Sequence, residues 1–185
     1  MLYNLITIFI VKTSLCEKLN EKEKEKMNSE IQFRYAVKQD ASLILKFIKE
    51  LAEYEKLQDE VIATEKLIEE WIFEKRKAEV VFAVKDGQEI GYALFFHNFS
   101  TFLGRAGIYL EDLYIKPAFR RNGYGKAFLK YLARIAVERG CGRLEWSCLD
   151  WNRPSIEFYL SLGAEQMSEW TGYRLTGHKL KNLAK

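Results

Sequence analysis

The chain has 185 residues, of which 48% are apolar and 14% aromatic. This composition supplies a packed core for one domain and excludes a chain that is disordered throughout. The 29 basic and 26 acidic residues give a formal net charge of +3, and the basic residues are spread along the sequence. Charge therefore does not predict a nucleic-acid partner.

The cysteines and histidines predict neither a disulfide framework nor a metal site. Cys16, Cys141 and Cys148 are odd in number and far apart in the chain. His97 and His178 share no metal-ligand spacing with them. We therefore expect a reducing, cytoplasmic location and no bound metal.

Residues 1–29 differ in composition from the rest of the chain. The apolar run at 5–11 is too short to span a bilayer as a helix, and no basic side chain precedes it, as one does in a secretory signal. We expect 1–29 to be an N-terminal extension outside the fold, with Met27 as a candidate native start. Residues 30–185 then form the functional domain, with no membrane partner. A signal or membrane anchor is the alternative.

The body of the chain predicts alternating strands and helices. In chain order the patterns predict a strand at 32–37, helices after the N-cap candidates Asp40 and Thr64, a hairpin of strands 80–84 and 89–96 around Asp86-Gly87, a strand at 108–115, a helix at 125–138, a strand at 143–149, a helix from Pro154 to Gly163, and a strand at 172–175. This order indicates an α/β (mixed α+β) fold with one mixed sheet and helices on its faces.

A basic, glycine-containing turn joins the strand at 108–115 to the following helix. N–H groups at a helix N-terminus bind anionic oxygens, and glycine permits positive φ and close approach of a ligand. Basic side chains add charge that suits a pyrophosphate. The turn consists of Arg120, Arg121, Asn122, Gly123, Tyr124, Gly125 and Lys126. An Asn-Gly turn beside a solvated basic face is the alternative.

Two common nucleotide-binding patterns are excluded at this turn. A P-loop requires a longer glycine frame that ends in Gly-Lys-Ser or Gly-Lys-Thr, and the chain has none here. The dinucleotide fingerprint requires a third small residue, and Phe128 stands in that place.

The turn resembles a known family signature. Residues 120–125, Arg-Arg-Asn-Gly-Tyr-Gly, resemble the Arg/Gln-x-x-Gly-x-Gly/Ala signature of GCN5-related N-acetyltransferases (GNAT), which bind the pyrophosphate of acetyl-CoA there. Segments 51–57, 109–112 and 149–164 resemble the family branch that acetylates diamines (spermidine, spermine) and thialysine. The resemblance implies a mostly antiparallel central sheet, acetyl-CoA as co-substrate, and direct transfer to a small cationic primary amine in a ternary complex.

The resemblance also implies roles for individual residues. A primary amine with a pKa of about 10 is mostly protonated at neutral pH, so the reaction needs a proton acceptor. Glu111 matches that acceptor, acting through water at the substrate, and Asp112 matches a residue beside the cationic substrate. Tyr159 matches the general acid toward the coenzyme A sulfur. The coenzyme contacts implied are the backbone of Leu113 and Ile115, with the Leu113 N–H as oxyanion donor, the side chain of Asn152, and turn residues 120–126.

Substrate choice and function class leave alternatives open. Polyamine-specific members carry an acid where this chain has Ser100-Thr101-Phe102, so spermidine and spermine are disfavoured and the chain is more similar to the thialysine-type branch. A short diamine and a lysine-like amino acid both stay open as substrates. The alternatives are a non-catalytic acyl-CoA-binding regulatory module and an acetyltransferase for a peptide amine. Cys141 and Cys148 have no histidine nearby in sequence, and we interpret them as packing residues. Members of the family are commonly homodimers, and we expect one here.

Overall fold

The computed structural model describes residues 31–185. The expected extension 1–29, with Cys16 and Met27, lies outside the described residues. The described chain divides after Ser147 into two compact units, the second running from Cys148 to Lys185.

The first unit is built on a five-stranded sheet. Its elements are β1 (Gln32–Tyr35), α1 (Ala41–Glu55), α2 (Glu65–Ile68, continued by a π-helical turn over Glu69–Glu74), β2 (Glu79–Lys85), β3 (Gln88–Ser100), β4 (Arg105–Ile115), α3 (Tyr124–Glu138) and β5 (Leu144–Trp146). The strands lie in chain order, with three antiparallel pairs followed by the parallel pair β4–β5. The expected mixed, mostly antiparallel sheet is confirmed.

Helices α1 and α3 cover opposite faces of this sheet. Phe47 of α1 is buried, and its ring centroid lies 5.2 Å from that of Tyr92. Phe128 of α3 lies 4.9 Å from Phe33. The Arg34 guanidinium stacks over Phe82 on the α1 face, and successive strand residues point to opposite faces, so Phe33 belongs to the α3 face.

Local side-chain chemistry fixes the ends of several elements. The Thr64 hydroxyl accepts a hydrogen bond from the Leu67 N–H and caps α2, as expected. Asp86 has a φ of 50° and Gly87 a φ of 74°, so these residues form the tight turn expected between β2 and β3. Asp40 precedes α1, but its carboxylate accepts hydrogen bonds from the Val37 N–H and from Arg34.

A β-bulge interrupts the pairing of β3 with β4. Leu94 lies opposite Asp112, whereas the next residue, Phe95, lies opposite Leu110, so Glu111 is the extra residue of β4. The guanidinium of Arg139, at the end of α3, lies over the ring of Phe95, so Phe95 is on the α3 face. Residues paired directly across a ladder share a face. Leu110 therefore faces α3. Asp112 instead bonds Tyr92 on the α1 face, although simple alternation would place it with Leu110.

The second unit contains two helices in its described residues, α4 (Arg153–Ser161) and α5 (Gly177–Leu183). The Asn152 side chain accepts a hydrogen bond from the Ser155 N–H and caps α4, which has Pro154 in its first turn as expected. The expected strand at 172–175 is wrong, because these residues join no ladder of the described sheet. Within residues 31–185, every helix is too short or too polar to cross a membrane.

Candidate active site

The turn between β4 and α3 presents backbone N–H groups at a helix start. Pro117–Phe119 form a 3₁₀ turn, and then Arg121 and Gly123 adopt φ values of 65° and 80°. Gly123 occupies the N-cap position, and α3 begins at Tyr124. The first N–H groups of a helix have no acceptor within it and carry the positive end of the helix dipole. This arrangement can bind an anion.

Polar side chains of the turn divide into two kinds. Those of Arg121 and Lys126 are exposed and can meet a ligand. The Asn122 side chain instead supports the turn, because its Nδ2 donates to the carbonyl oxygens of Phe119 and Arg120 at 3.2 and 3.1 Å.

The Arg120 side chain makes its contacts with other residues of the first unit. Its Nε donates a 2.8 Å hydrogen bond to the carbonyl oxygen of Ile115, the last residue of β4. Its guanidinium carbon lies 4.5 Å from the ring centroid of Tyr54 and 5.3 Å from that of Tyr114. This side chain therefore links α1, β4 and the turn.

The last residues of β4 extend beyond their ladder with β5. The final β4–β5 pair is Leu110 with Trp146, directly before the bulge. The Lys116 N–H donates to Ile90 on the β3 side at 2.9 Å. Backbone groups alternate in direction along a strand, so those of Leu113 and Ile115 point away from β3. An extended ligand can pair with this edge as a further strand would.

A buried hydrogen bond joins β3 to the end of β4. The Tyr92 hydroxyl donates to Oδ2 of Asp112 at 2.6 Å. Burial raises the pKa of the Asp112 carboxyl, and the Tyr92 hydrogen bond opposes part of that rise.

Three carboxylates act electrostatically on the Tyr92 hydroxyl, and we call Glu55, Glu111 and Asp112 the acidic cluster. Burial raises the pKa of Glu55, the last residue of α1, and the charge of Asp112 raises it further. The pKa of Tyr92 is raised well above its usual value, by burial and by Asp112 first, with smaller effects of Glu55 and Glu111. Such a cluster attracts a cation.

Sequence reasoning did not assign Tyr92 to this cluster, and it placed Glu55, with Glu53, only near the rim of a carboxylate-lined cleft at Glu111 and Asp112. Tyr92 lies in an apolar strand, where a core role is the ordinary interpretation. Glu55 is 57 residues before Asp112 in the chain, and only the packing of α1 on the sheet brings the two carboxylates into electrostatic range.

The other expected catalytic residue lies in the second unit. Tyr159 is half-buried on α4, with its ring centroid 5.4 Å from that of Phe158. Asn152, at the start of the same helix, is only 6% exposed. Cys141 and Cys148 are free thiols. Within residues 31–185, no group of three or more His, Cys, Asp or Glu side chains is arranged to hold a metal ion.

Comparison with known proteins identifies the class of protein. Residues 44–164, more than half of the chain, match the model of the acetyltransferase (GNAT) family. The chain belongs to this family and is an acyltransferase, which confirms the expected family, fold and enzyme class.

Curated relatives include enzymes that act on amino acids with an amine-bearing side chain. A thialysine N-epsilon-acetyltransferase of Bos taurus is 36% identical over 166 residues, which cover 83% of this chain and 97% of the relative. The Sus scrofa enzyme of the same name is 37% identical over 163 residues, with 82% and 95% covered. An L-ornithine N5-acetyltransferase of Arabidopsis thaliana is 43% identical over 95 residues, which cover 51% of this chain and 42% of the relative.

Solved structures share the fold. An integron cassette protein from the mobile metagenome of V. cholerae has a TM-score of 0.71 at 28% identity, with 84% of this chain and 98% of that chain covered. A ribosomal-protein-alanine N-acetyltransferase from Brucella melitensis has a TM-score of 0.63 at 19% identity, with 80% and 100% covered, a likeness of fold alone.

Proposed function

We propose that this protein transfers the acetyl group of acetyl-CoA directly to a primary amine of a small cationic substrate, in a ternary complex. Thialysine or another lysine-like amino acid is the leading substrate, and a short diamine or a polyamine is the other substrate of this class. The acidic cluster carries the proposal, because two of its members, Glu111 and Asp112, lie at the β4 bulge, just before the anion-binding turn in the chain.

The first unit offers the two features that an extended ligand with a pyrophosphate needs. The turn N–H groups and the side chains of Arg121 and Lys126 are proposed to hold the pyrophosphate. The β4 edge at Leu113 and Ile115 is proposed to pair with the pantetheine arm, and Asn152 is proposed to contact the coenzyme. When bound, acetyl-CoA supplies an acetyl thioester.

The acidic cluster is proposed to bind the amine as its ammonium form. A negative environment stabilises the ammonium and so raises the pKa of the substrate amine. A proton acceptor is then required before the nitrogen can attack. Glu111 is proposed to accept this proton through water, since its side chain is exposed at the bulge and can pass the proton to solvent.

Two further groups are proposed to act on the thioester. The Leu113 N–H is proposed to donate a hydrogen bond to the developing oxyanion. Tyr159 is proposed to protonate the departing sulfur. A phenol with a pKa of about 10 is a weaker acid than a thiol with a pKa of about 8.5, so this transfer depends on the position of the hydroxyl.

We also infer that the protein is a homodimer. The inference is supported by large apolar side chains of the second unit that are exposed, since such side chains often mark a protein interface. Met167, Trp170, Tyr173 and Leu183 are 62%, 72%, 92% and 73% exposed. Light scattering that finds a monomer at micromolar concentration would contradict this inference. A cytoplasmic location stays a prediction from the cysteine pattern.

The proposed function is tested by thiol release from acetyl-CoA with a panel of amines. Thialysine, lysine, ornithine, putrescine, spermidine and a basic peptide are compared at equal concentration. We expect the highest kcat/KM with thialysine or another amino acid of this kind. Turnover of the peptide alone would replace the small-amine proposal, and coenzyme binding without turnover of any amine would contradict it.

A further inference from the structure

We propose that Arg120 is a positioning residue that couples the coenzyme turn to the amine site, and does not serve as a ligand of the pyrophosphate. This inference rests on the proposed function. The neighbouring basic side chains differ in their surroundings. Arg121 and Lys126 are exposed, whereas Arg120 is half-buried and contacts the Ile115 carbonyl and the Tyr54 ring.

One end of the coupling is the strand that is proposed to hold the pantetheine arm. The Arg120 Nε–H donates to the Ile115 carbonyl, which lies on the β4 edge facing away from β3. The same residue begins the turn with an extended backbone, φ −69° and ψ 162°, directly before Arg121 at a φ of 65°. The side chain thus ties the entry of the turn to the strand end.

The other end of the coupling is helix α1. The planar guanidinium stacks on Tyr54, the residue directly before Glu55 of the acidic cluster. It also lies over Tyr114, which separates Leu113 from Ile115. A shift of the turn on coenzyme binding therefore moves Arg120, and with it Tyr54 and the neighbouring Glu55. In the other direction, a cation bound at Glu55 stabilises the position of Arg120 and of the turn.

Lysine cannot replace arginine in this arrangement. Lysine keeps the positive charge but has no Nε–H beside a planar face, so it cannot stack on Tyr54 and donate to Ile115 together. A pyrophosphate ligand, in contrast, needs mainly the charge. Arg120→Lys therefore separates positioning from direct phosphate binding.

The test compares Arg120→Lys, Tyr54→Leu and the double variant, with Lys130→Gln on the exposed face of α3 as a control that removes a charge. We expect Arg120→Lys to raise the KM for the amine and the KM for acetyl-CoA together, each about tenfold, which corresponds to about 1.4 kcal/mol. We expect the salt dependence of coenzyme binding to stay unchanged. Tyr54→Leu raises the amine KM similarly, and the double variant is no worse than the larger single effect.

Two outcomes overturn the inference. Arg120→Lys with both KM values normal assigns the residue to charge alone, and additive effects in the double variant show that Arg120 and Tyr54 do not act together. Thermal unfolding of the parent protein, Arg120→Lys, Tyr54→Leu and the double variant without ligands supplies a readout that does not depend on activity. If the parent protein acetylates no amine, the proposed function fails, while additivity or non-additivity of the unfolding midpoints still decides whether the coupling exists.

Discussion

The Tyr92 hydroxyl and the Asp112 carboxylate form a 2.6 Å hydrogen bond between neighbouring strands, on the face covered by α1. The bond fixes the orientation of a largely buried acid and favours its ionised form against the opposing effect of burial. Tyr92 is itself buried, so the geometry of the pair is set by the core of the fold. The position of the proposed substrate acid is therefore a property of the packed sheet.

Tyr92→Phe tests this relationship. Loss of the hydrogen bond raises the pKa of Asp112 further, so the carboxylate that binds the ammonium becomes protonated at a higher pH. We expect the acidic limb of the kcat/KM profile for the amine to move to higher pH and the amine KM to rise about tenfold near neutrality. Tyr35→Phe, which removes a hydroxyl at the sheet edge, is the matched control. Coincident profiles for the two variants would contradict the prediction.

Glu55→Gln tests the membership of α1 in the amine site. Removal of one charge of the acidic cluster is expected to raise the KM for a cationic amine about tenfold and to leave the KM for acetyl-CoA unchanged. The control is Glu53→Gln, an exposed carboxylate two residues earlier on the same helix. Equal effects of the two substitutions would show that only the general charge of α1 matters.

Asp112→Asn is expected to change how stability depends on pH. Burial raises the folded pKa of this acid, so its contribution to stability is complete below its unfolded pKa of about 4 and is lost as the pH rises through the folded value. The variant lacks this loss. Urea unfolding at several pH values is expected to show a smaller decline in stability with rising pH than in the parent protein, together with weakened amine turnover. Parallel pH curves would contradict the assignment of burial as the cause.

Gly123→Ala tests the backbone of the turn. A Cβ at this position meets no atom within 4 Å, but the φ of 80° is strained for alanine by about 1 kcal/mol. We expect a lower melting temperature and a raised dissociation constant for coenzyme A in calorimetric titration. Gly140→Ala imposes the same strain at the other end of α3, where φ is 67° and no atom lies within 4 Å. Normal coenzyme affinity in Gly123→Ala would remove this turn from the binding site.

Tyr159→Phe tests the general acid. We expect turnover to fall at least about tenfold, which corresponds to about 1.4 kcal/mol of barrier, with coenzyme affinity unchanged. Tyr35→Phe, at a side chain of β1 that is 42% exposed, is the control for loss of a phenol hydroxyl. A thiol leaving group that needs no protonation, tested as a substituted thioester, is expected to restore part of the lost rate.

Local sequence chemistry predicted the elements around the turn well. Helix α3 was predicted from about residue 125, and it begins at Tyr124 with Gly123 as its N-cap. Pro117 ends β4 because proline has no backbone N–H, and Gly140 ends the helix because glycine readily adopts a positive φ. The hairpin turn at Asp86-Gly87 was predictable for the same reason. These signals need no knowledge of distant residues.

Features that depend on pairing between distant residues could not be predicted from the sequence. The bulge at Glu111 exists because β3 and β4 pair in different registers on its two sides, and alternation within β4 does not reveal that. The segment at 172–175 was predicted as a strand, but a strand also needs a hydrogen-bonded neighbour, and the described structure provides none. Glu55 reaches Asp112 only through tertiary packing of α1.

The extra residue in β4 also affects how this protein can change over evolutionary time. Leu110 and Asp112 already point to opposite faces, as directly successive strand residues do, so deletion of Glu111 would leave the flanking residues with the same partners on β3. Tyr92 would keep its acid, and the strand would lose only the carboxylate that is proposed to accept the proton. Gain or loss of this one residue can therefore change the proton acceptor while the buried acid keeps its place.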